Sequence, residues 1–290
     1  PNIKLLCVVN PSNPPSVAID EKSMKYIQNI VKEKNSNLMI VTDDVYGTFV
    51  ENFKSFIITL PYNTLGVYSF SKYFGVTGWR LGVIALAKEN VFNKIIHELP
   101  QEDKDDLKNR YSSLTPKPES ISFIDRIVAD SRQVALNHTA GLSTPQQVQM
   151  ALFCLFALLD KDDTYKKQTI DICTKRKKLV YDHLIDLPMK KSDIHSACYY
   201  NEYDLLVWAN LRYGMDFANY LKEERNPLEF LFDLAEKYHI ILLNGEGFDG
   251  PKWSIRVSLA NLKDEQYSKI GEAINELFNK YHEQWLESIK

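Results

Sequence analysis

Hydrophobic and polar positions along the 290-residue chain follow two styles. In the first part, short and nearly continuous apolar runs at 3–9, 38–41, 56–59, 65–69 and 81–86 are separated by polar stretches. Runs of that length read as strands buried on both faces. Between the first two runs, residues 23–33 carry Met24, Ile27, Ile30 and Val31 on one helical face. Strands with a helix between them predict an α/β layer with a mainly parallel sheet. The run at 3–9 already reads as a core strand, and a domain seldom opens inside one. An upstream segment outside this chain is therefore expected.

Farther on the pattern changes. Residues 101–110 are highly charged and 111–122 are rich in serine and proline, an excursion from the sheet domain. From 145 to 186 the pattern is mostly helical with a break at 160–163, as in a helix pair joining two domains. Its apolar stretch at 150–159 reads as a core helix, well short of the ~18 apolar residues that a membrane span needs. Beyond it, strands are expected at 204–211, 240–243 and 254–258, with helices at 227–237 and 264–285. That is a smaller α+β domain. The predicted organisation is a large sheet domain over 1–145 with its excursion near 100–122, connecting helices over 146–188, and a small domain over 189–290.

Composition narrows the function classes. Apolar residues make up 44% and charged residues 25%, and the net charge of −3 gives none of the basic footprint of a nucleic-acid binder. The start of the chain has no signal-peptide pattern. Cys7, Cys154, Cys173 and Cys198 lie far apart without zinc spacing, so free thiols in a reducing, cytoplasmic setting are expected. His97, His183 and His282 fall in helical patterns as solvated or capping residues. His138 and His195 sit in loops without metal-ligand spacing, so no metal is expected. Trp208, Trp253 and Trp285 read as core or interface aromatics.

The chemistry gathers at strand ends, where open α/β sheets place their ligands. Asn10-Pro-Ser-Asn13-Pro-Pro is either a proline-rich turn or a ligand loop, and Asp43-Asp44-Val45-Tyr46 either a helix cap or a site. The stretch Ser69-Phe-Ser-Lys-Tyr-Phe-Gly-Val-Thr-Gly-Trp-Arg-Leu-Gly82 is more specific. It sets one amine, Lys72, among Phe70, Tyr73 and Phe74, with Arg80 following and Trp79 expected behind it. A lysine in that setting is a nucleophile towards an aldehyde. Ser69, Ser71 and Arg80 together suit a phosphate dianion, a planar fork plus hydroxyls.

This stretch resembles the lysine signature of the fold-type I, pyridoxal 5'-phosphate-dependent aminotransferases of class I/II. In the family's order, Asn13 matches its NPxNP loop, Asp43 and Tyr46 its DxxY strand end, and Arg256 its arginine in Ser254-Ile-Arg-Val-Ser258. The resemblance implies that Lys72 is the catalytic residue that bonds to the cofactor aldehyde. Asp43 would face the pyridine nitrogen, Tyr46 and Asn13 the ring's phenolic oxygen, and Ser69, Ser71 and Arg80 the phosphate. Arg256, with Asn13, would bind the substrate α-carboxylate. The family's helix start that cradles the phosphate, and the aromatic that stacks on the ring, belong upstream of Asn10, so the chain resembles the C-terminal half of such an enzyme.

Nearly the whole chain is similar to the aspartate aminotransferase/aspartate 4-decarboxylase subgroup. Asn10-Pro-Ser-Asn-Pro-Pro-Ser16 departs from the usual threonine–glycine ending, and the excursion followed by Phe123-Ile-Asp-Arg-Ile-Val-Ala-Asp-Ser-Arg132 and Ala135-Leu-Asn-His-Thr-Ala-Gly-Leu-Ser-Thr-Pro-Gln-Gln-Val148 fits that subgroup. Ordinary dicarboxylate enzymes carry an arginine shortly before the segment matching Leu142-Ser-Thr-Pro145; here that place offers His138 and Thr139. The implied activity is transamination of aspartate together with β-decarboxylation to alanine, on amino-acid and 2-oxo-acid substrates. A homodimer or higher symmetric homo-oligomer is implied, with no nucleic acid or membrane partner. Two alternatives stay open: a truncated chain that keeps the scaffold without activity, and an aminotransferase for another amino acid.

Overall fold

Alternate side chains of a strand face opposite ways, and the first sheet uses both faces. In the computed structural model, which describes residues 3–133, 142–189 and 194–290, strands β1 (Leu5–Val9), β2 (Met39–Asp43), β3 (Thr64–Ser69) and β4 (Gly82–Leu86) lie in the order β1-β2-β3-β4. The first three are parallel and β4 runs antiparallel to β3. Helix α1 (Glu21–Glu33) starts where Asp20 accepts a hydrogen bond from the Ser23 N–H at 2.7 Å, a cap worth about 1 kcal/mol. Its Met24 and Val31 close over Ile40 of β2, together with Phe56 and Leu60 of and after the one-turn helix α2 (Phe56–Thr59).

On the opposite face, Leu65 packs with Val91 and Phe92 of α3 (Val91–His97) and with half-buried Met39, Val41 and Val67. The excursion folds as α4 (Gln101–Tyr111) and a short turn, leading into α5 (Phe123–Gln133). Arg126 of α5, only 5% exposed, donates to the carbonyls of Ile121 and Pro118 at 3.1 Å each and lies 4.8 Å from the Tyr111 ring. One guanidinium thereby pins the excursion to its helix. Helix α6 (Thr144–Leu159) follows. The α/β layer with a mainly parallel sheet is present, with helices on both faces.

The second part is built on α7 (Thr164–Tyr181), β5 (Tyr200–Asp204), α8 (Leu205–Tyr213), α9 (Met215–Glu224), α10 (Pro227–Tyr238), β6 (Leu243–Asn244), β7 (Ser254–Ser258) and α11 (Asp264–Ser288). Its antiparallel sheet has the order β5-β7-β6. Trp208 of α8 stacks on Phe278 of α11 with centroids 4.4 Å apart, inside a core that includes Phe217, Phe230 and Tyr267. The chain divides into two units. Pro1–Asn10, Ile19–Gly47 and Lys54–Asp162 form one, and Pro11–Ala18, Thr48–Phe53 and Asp163–Lys290 the other.

Four expectations are corrected. Residues 56–59 form a helical turn, because the Ser55 hydroxyl caps the Ile57 N–H at 3.1 Å; a short apolar run does not distinguish turn from strand. The expected strand at 204–211 is helix α8. Asp204 ends β5, and its carboxylate accepts from the N–H groups of Leu206 and Val207 at 3.0 Å each, which starts a helix. At 240–243, only Leu243 joins the ladder and Ile241 stays 84% exposed. The expected core helix at 150–159 is part of α6, but Leu152, Leu155, Leu158 and Leu159 are each more than half exposed.

Candidate active site

Parallel strands in register bring their carboxyl ends to one edge: Val9 pairs with Asp43, and Asp43 with Val67. Because β4 runs the other way, Gly82 starts it opposite Ser69 at that same edge. Asp43, Tyr46, Ser69, Ser71, Lys72 and Arg80 therefore leave the first unit's sheet on one side, where ligands of open α/β sheets bind. Asp43 accepts from the Val45 N–H at 3.1 Å, and the Gly47 N–H donates to the Asp44 carbonyl at 2.8 Å, closing the turn that buries Tyr46. Burial pushes the neighbouring Asp44 carboxyl above its ordinary value, opposed by hydrogen bonds from Ser55 and Thr42.

The Ser69 hydroxyl donates to that of Ser71 at 2.9 Å, and the Ser71 N–H donates back to it at 3.2 Å. Lys72 is half-buried beside Phe70 and Tyr73, which are 3% and 9% exposed. Phe74 stacks on Phe153 of α6 with centroids 4.6 Å apart. Sequence reading missed Phe153, which lies eighty-one residues from Lys72 and follows no local signal. Arg80 is exposed and left-handed (φ 55°), donating to the Thr77 carbonyl at 3.1 Å. Trp79, expected behind Arg80, is 46% exposed with its ring 6.0 Å from that of Phe153.

Asn13 and Arg256 belong to the second unit, and the structure joins them directly: Arg256 Nη1 donates to Asn13 Oδ1 at 2.9 Å. The loop carrying Asn13 is fixed by Ser16, fully buried, whose hydroxyl accepts from the Tyr200 N–H at 2.9 Å. Pro15 and Ser16 stand where the family's usual threonine–glycine ending would be, and the Ser16 half of that departure has a structural use. The Arg256 guanidinium lies 4.4 Å from the Tyr200 ring and 4.3 Å from that of Phe248, within range of cation–π attraction. Its Nε is buried without a partner. A buried donor left unpaired is costly, which favours an incoming acceptor such as a carboxylate. Sequence reading missed Tyr200 and Phe248. Tyr200 is a diagonal cross-strand neighbour of Arg256, visible only once Tyr200 is known to pair with Ser258.

The remaining candidates stay outside these clusters. His138 and Thr139 lie outside the described residues. His183 Nε2 is 2.7 Å from the Ser268 hydroxyl, and His282 stacks on Tyr213 at 4.0 Å. Among the described residues no three metal-ligating side chains come together, and no helix is long and apolar enough to cross a membrane.

A model of the aminotransferase class I and II family matches residues 1–274. The chain belongs to that family. It is 47% identical to a bifunctional aspartate aminotransferase and L-aspartate beta-decarboxylase from Pseudomonas sp., over 98% of this chain and 53% of that protein. The chain thus spans about half the length of that relative. An aspartate aminotransferase from Sulfolobus acidocaldarius is 36% identical over 96 residues, 32% of this chain and 23% of that one. The structure of an alanine aminotransferase from Pyrococcus furiosus superposes with a TM-score of 0.62 at 20% identity, covering 96% of this chain and 58% of that one. That likeness speaks to the fold alone.

Pyridoxal 5'-phosphate is the cofactor of class I and II aminotransferases. The donor set at the first unit's strand-end edge fits it. Paired serine hydroxyls and an exposed guanidinium suit a phosphate, the half-buried Lys72 amine suits an aldehyde, and the Asp43 carboxylate suits a protonated ring nitrogen.

Proposed function

We propose that this chain carries the lysine half of a pyridoxal 5'-phosphate-dependent aspartate aminotransferase that also releases the β-carboxylate of aspartate as carbon dioxide. The observation that carries the reading is the gathering of Lys72, Asp43, Ser69, Ser71 and Arg80 at one strand-end edge. When bound, the cofactor supplies an aldehyde and an electron-withdrawing ring. Ser69, Ser71 and Arg80 hold its phosphate, and Asp43 accepts a hydrogen bond from its ring nitrogen. The Tyr46 hydroxyl serves its phenolic oxygen. Lys72 supplies the reacting amine and moves a proton at Nζ. Arg256, oriented by Asn13, takes the substrate α-carboxylate through paired hydrogen bonds.

The β-decarboxylation rests on the identity with the bifunctional Pseudomonas protein and on one sequence fact. Residues 137–145 contain no arginine to grip a side-chain carboxylate. A carboxylate without such a partner is less stabilised in its charged ground state, which lowers the barrier to losing it as neutral carbon dioxide. A symmetric homo-oligomer belongs to the same proposal. The exposed apolar faces of α6 and β4 favour a second reading, in which the chain alone keeps the scaffold without turnover.

The test is incubation with pyridoxal 5'-phosphate, borohydride reduction and peptide mapping, followed by proton NMR of aspartate with catalytic pyruvate. Label on the peptide containing Lys72, lost in Lys72→Ala with unchanged circular dichroism, is expected, along with alanine beyond the pyruvate supplied. Label at another lysine overturns the site. Label at Lys72 without products supports the scaffold reading, and oxaloacetate without extra alanine leaves a plain aminotransferase.

A further inference from the structure

Arg256 of β7 stands directly opposite Glu202 of β5 in the antiparallel ladder. Residues so paired project from the same face with Cβ atoms about 5 Å apart, close enough for opposite charges to meet. Yet among the described residues no ion pair joins them. The Glu202 carboxylate is drawn elsewhere: its Oε1 accepts from the Ser254 hydroxyl at 3.0 Å. It also lies against two glycines, since a Cβ added at Gly245 would stand 2.6 Å from that oxygen and one at Gly250 2.2 Å from it. Neither position could carry a side chain with the carboxylate where it is. The same turn is closed by the Gly250 N–H donating to the Gly245 carbonyl at 2.9 Å, and it carries Phe248 to within 4.3 Å of the Arg256 guanidinium.

We propose that Glu202 is a positioning residue whose carboxylate is sequestered by Ser254 and the Gly245–Gly250 turn, so that Arg256 stays available to a ligand's carboxylate instead of pairing with its own cross-strand neighbour. The inference rests on the reading of Arg256 as a carboxylate receptor. An arginine with an internal carboxylate partner offers fewer donors to a substrate. An arginine held by a neutral amide oxygen at Asn13 and by two aromatic rings keeps its charge uncompensated. The Ser254 hydroxyl has one proton and two acceptors, Glu202 Oε1 and the Pro251 carbonyl at 2.8 Å, so its removal loosens both the carboxylate and the turn. Only the first of these consequences depends on the charge of Glu202, and that separates positioning from mere support.

The experiment titrates the full 290-residue chain with acetate at fixed ionic strength and follows the backbone amide NMR shifts of 246–248 and 254–258. Wild type should show saturable shifts that Arg256→Gln abolishes; if either fails, the receptor reading itself falls. Given that, Ser254→Ala should weaken acetate about tenfold, and adding Glu202→Gln should restore it. Glu202→Gln alone should change affinity less than about threefold, a non-additivity of the size seen for coupled neighbours. Equal gains from Glu202→Gln in both backgrounds, no rescue by it, or no loss in Ser254→Ala, would overturn the proposal.

Discussion

The two units treat apolar side chains differently. In the second, Trp208, Phe217, Phe230 and Phe278 are closed off from water, and α8 and α11 meet through flat ring stacking. In the first, Leu158 of α6 is 76% exposed, and Val83 and Ile84 of the edge strand β4 are 42% and 45% exposed. Both regions are rich in apolar residues, so composition does not decide burial. A stripe or strand is buried only where another surface covers it, and α6 is apolar all round, with Phe153 stacked on Phe74. The units also differ in chemistry. The first holds Lys72, Ser69, Ser71, Arg80 and Asp43, while the second holds Arg256.

The difference in closure can be broken most sharply through the thiols. Cys7 and Cys154 of the first unit are exposed, whereas Cys173 and Cys198 of the second are buried. Burial pushes the Cys173 thiol up to about 12. At pH 8 its thiolate is scarcer than that of an ordinary cysteine by about 10³-fold. Iodoacetamide with peptide mapping should therefore label Cys7 and Cys154 at least about 10³ times faster than Cys173. Comparable rates would mean that the second core opens.

Truncation probes the same contrast. Trp208→Ala should cost the second unit about 3–5 kcal/mol in urea unfolding, whereas Leu158→Ala should stay within about 0.5 kcal/mol. A large loss from Leu158→Ala would show that the α6 face is covered in solution. The division of chemistry is sharpened by a crossed pair: Arg256→Lys should weaken acetate about tenfold, since an ammonium lacks the planar fork, and leave borohydride labelling at Lys72 intact. Lys72→Ala should do the reverse.

The smallest effects are in pH dependence, and they have opposite signs. Asp44, raised by burial above its ordinary 3.8, favours the folded state when protonated. That contribution is present below 3.8 and lost as pH rises through the folded value, so Asp44→Asn should gain stability relative to wild type between pH 3 and 7. His282, lowered from 6.5 by burial, contributes stability above 6.5 that is lost as pH falls through its folded value. His282→Gln should flatten the acid limb, as read by unfolding midpoints across pH.

The sequence by itself determined the α/β layer with its mainly parallel sheet and the family to which the chain belongs. Continuous apolar runs and the Ser69–Gly82 stretch are local signals, and local signals survive without a partner. It failed at 56–59 and 204–211, where a single capping side chain at Ser55 or Asp204 turned an apolar run into a helix. The tertiary structure alone decided which residues pack on the Ser69–Gly82 stretch and which hold Arg256. Phe153 of α6 reaches Phe74 in the turn after β3, Asn13 reaches Arg256 across 243 residues, and Glu202 faces Arg256 only because of strand register. The physical reason is that a contact between distant segments depends on how both surfaces pack, and no window of sequence contains both.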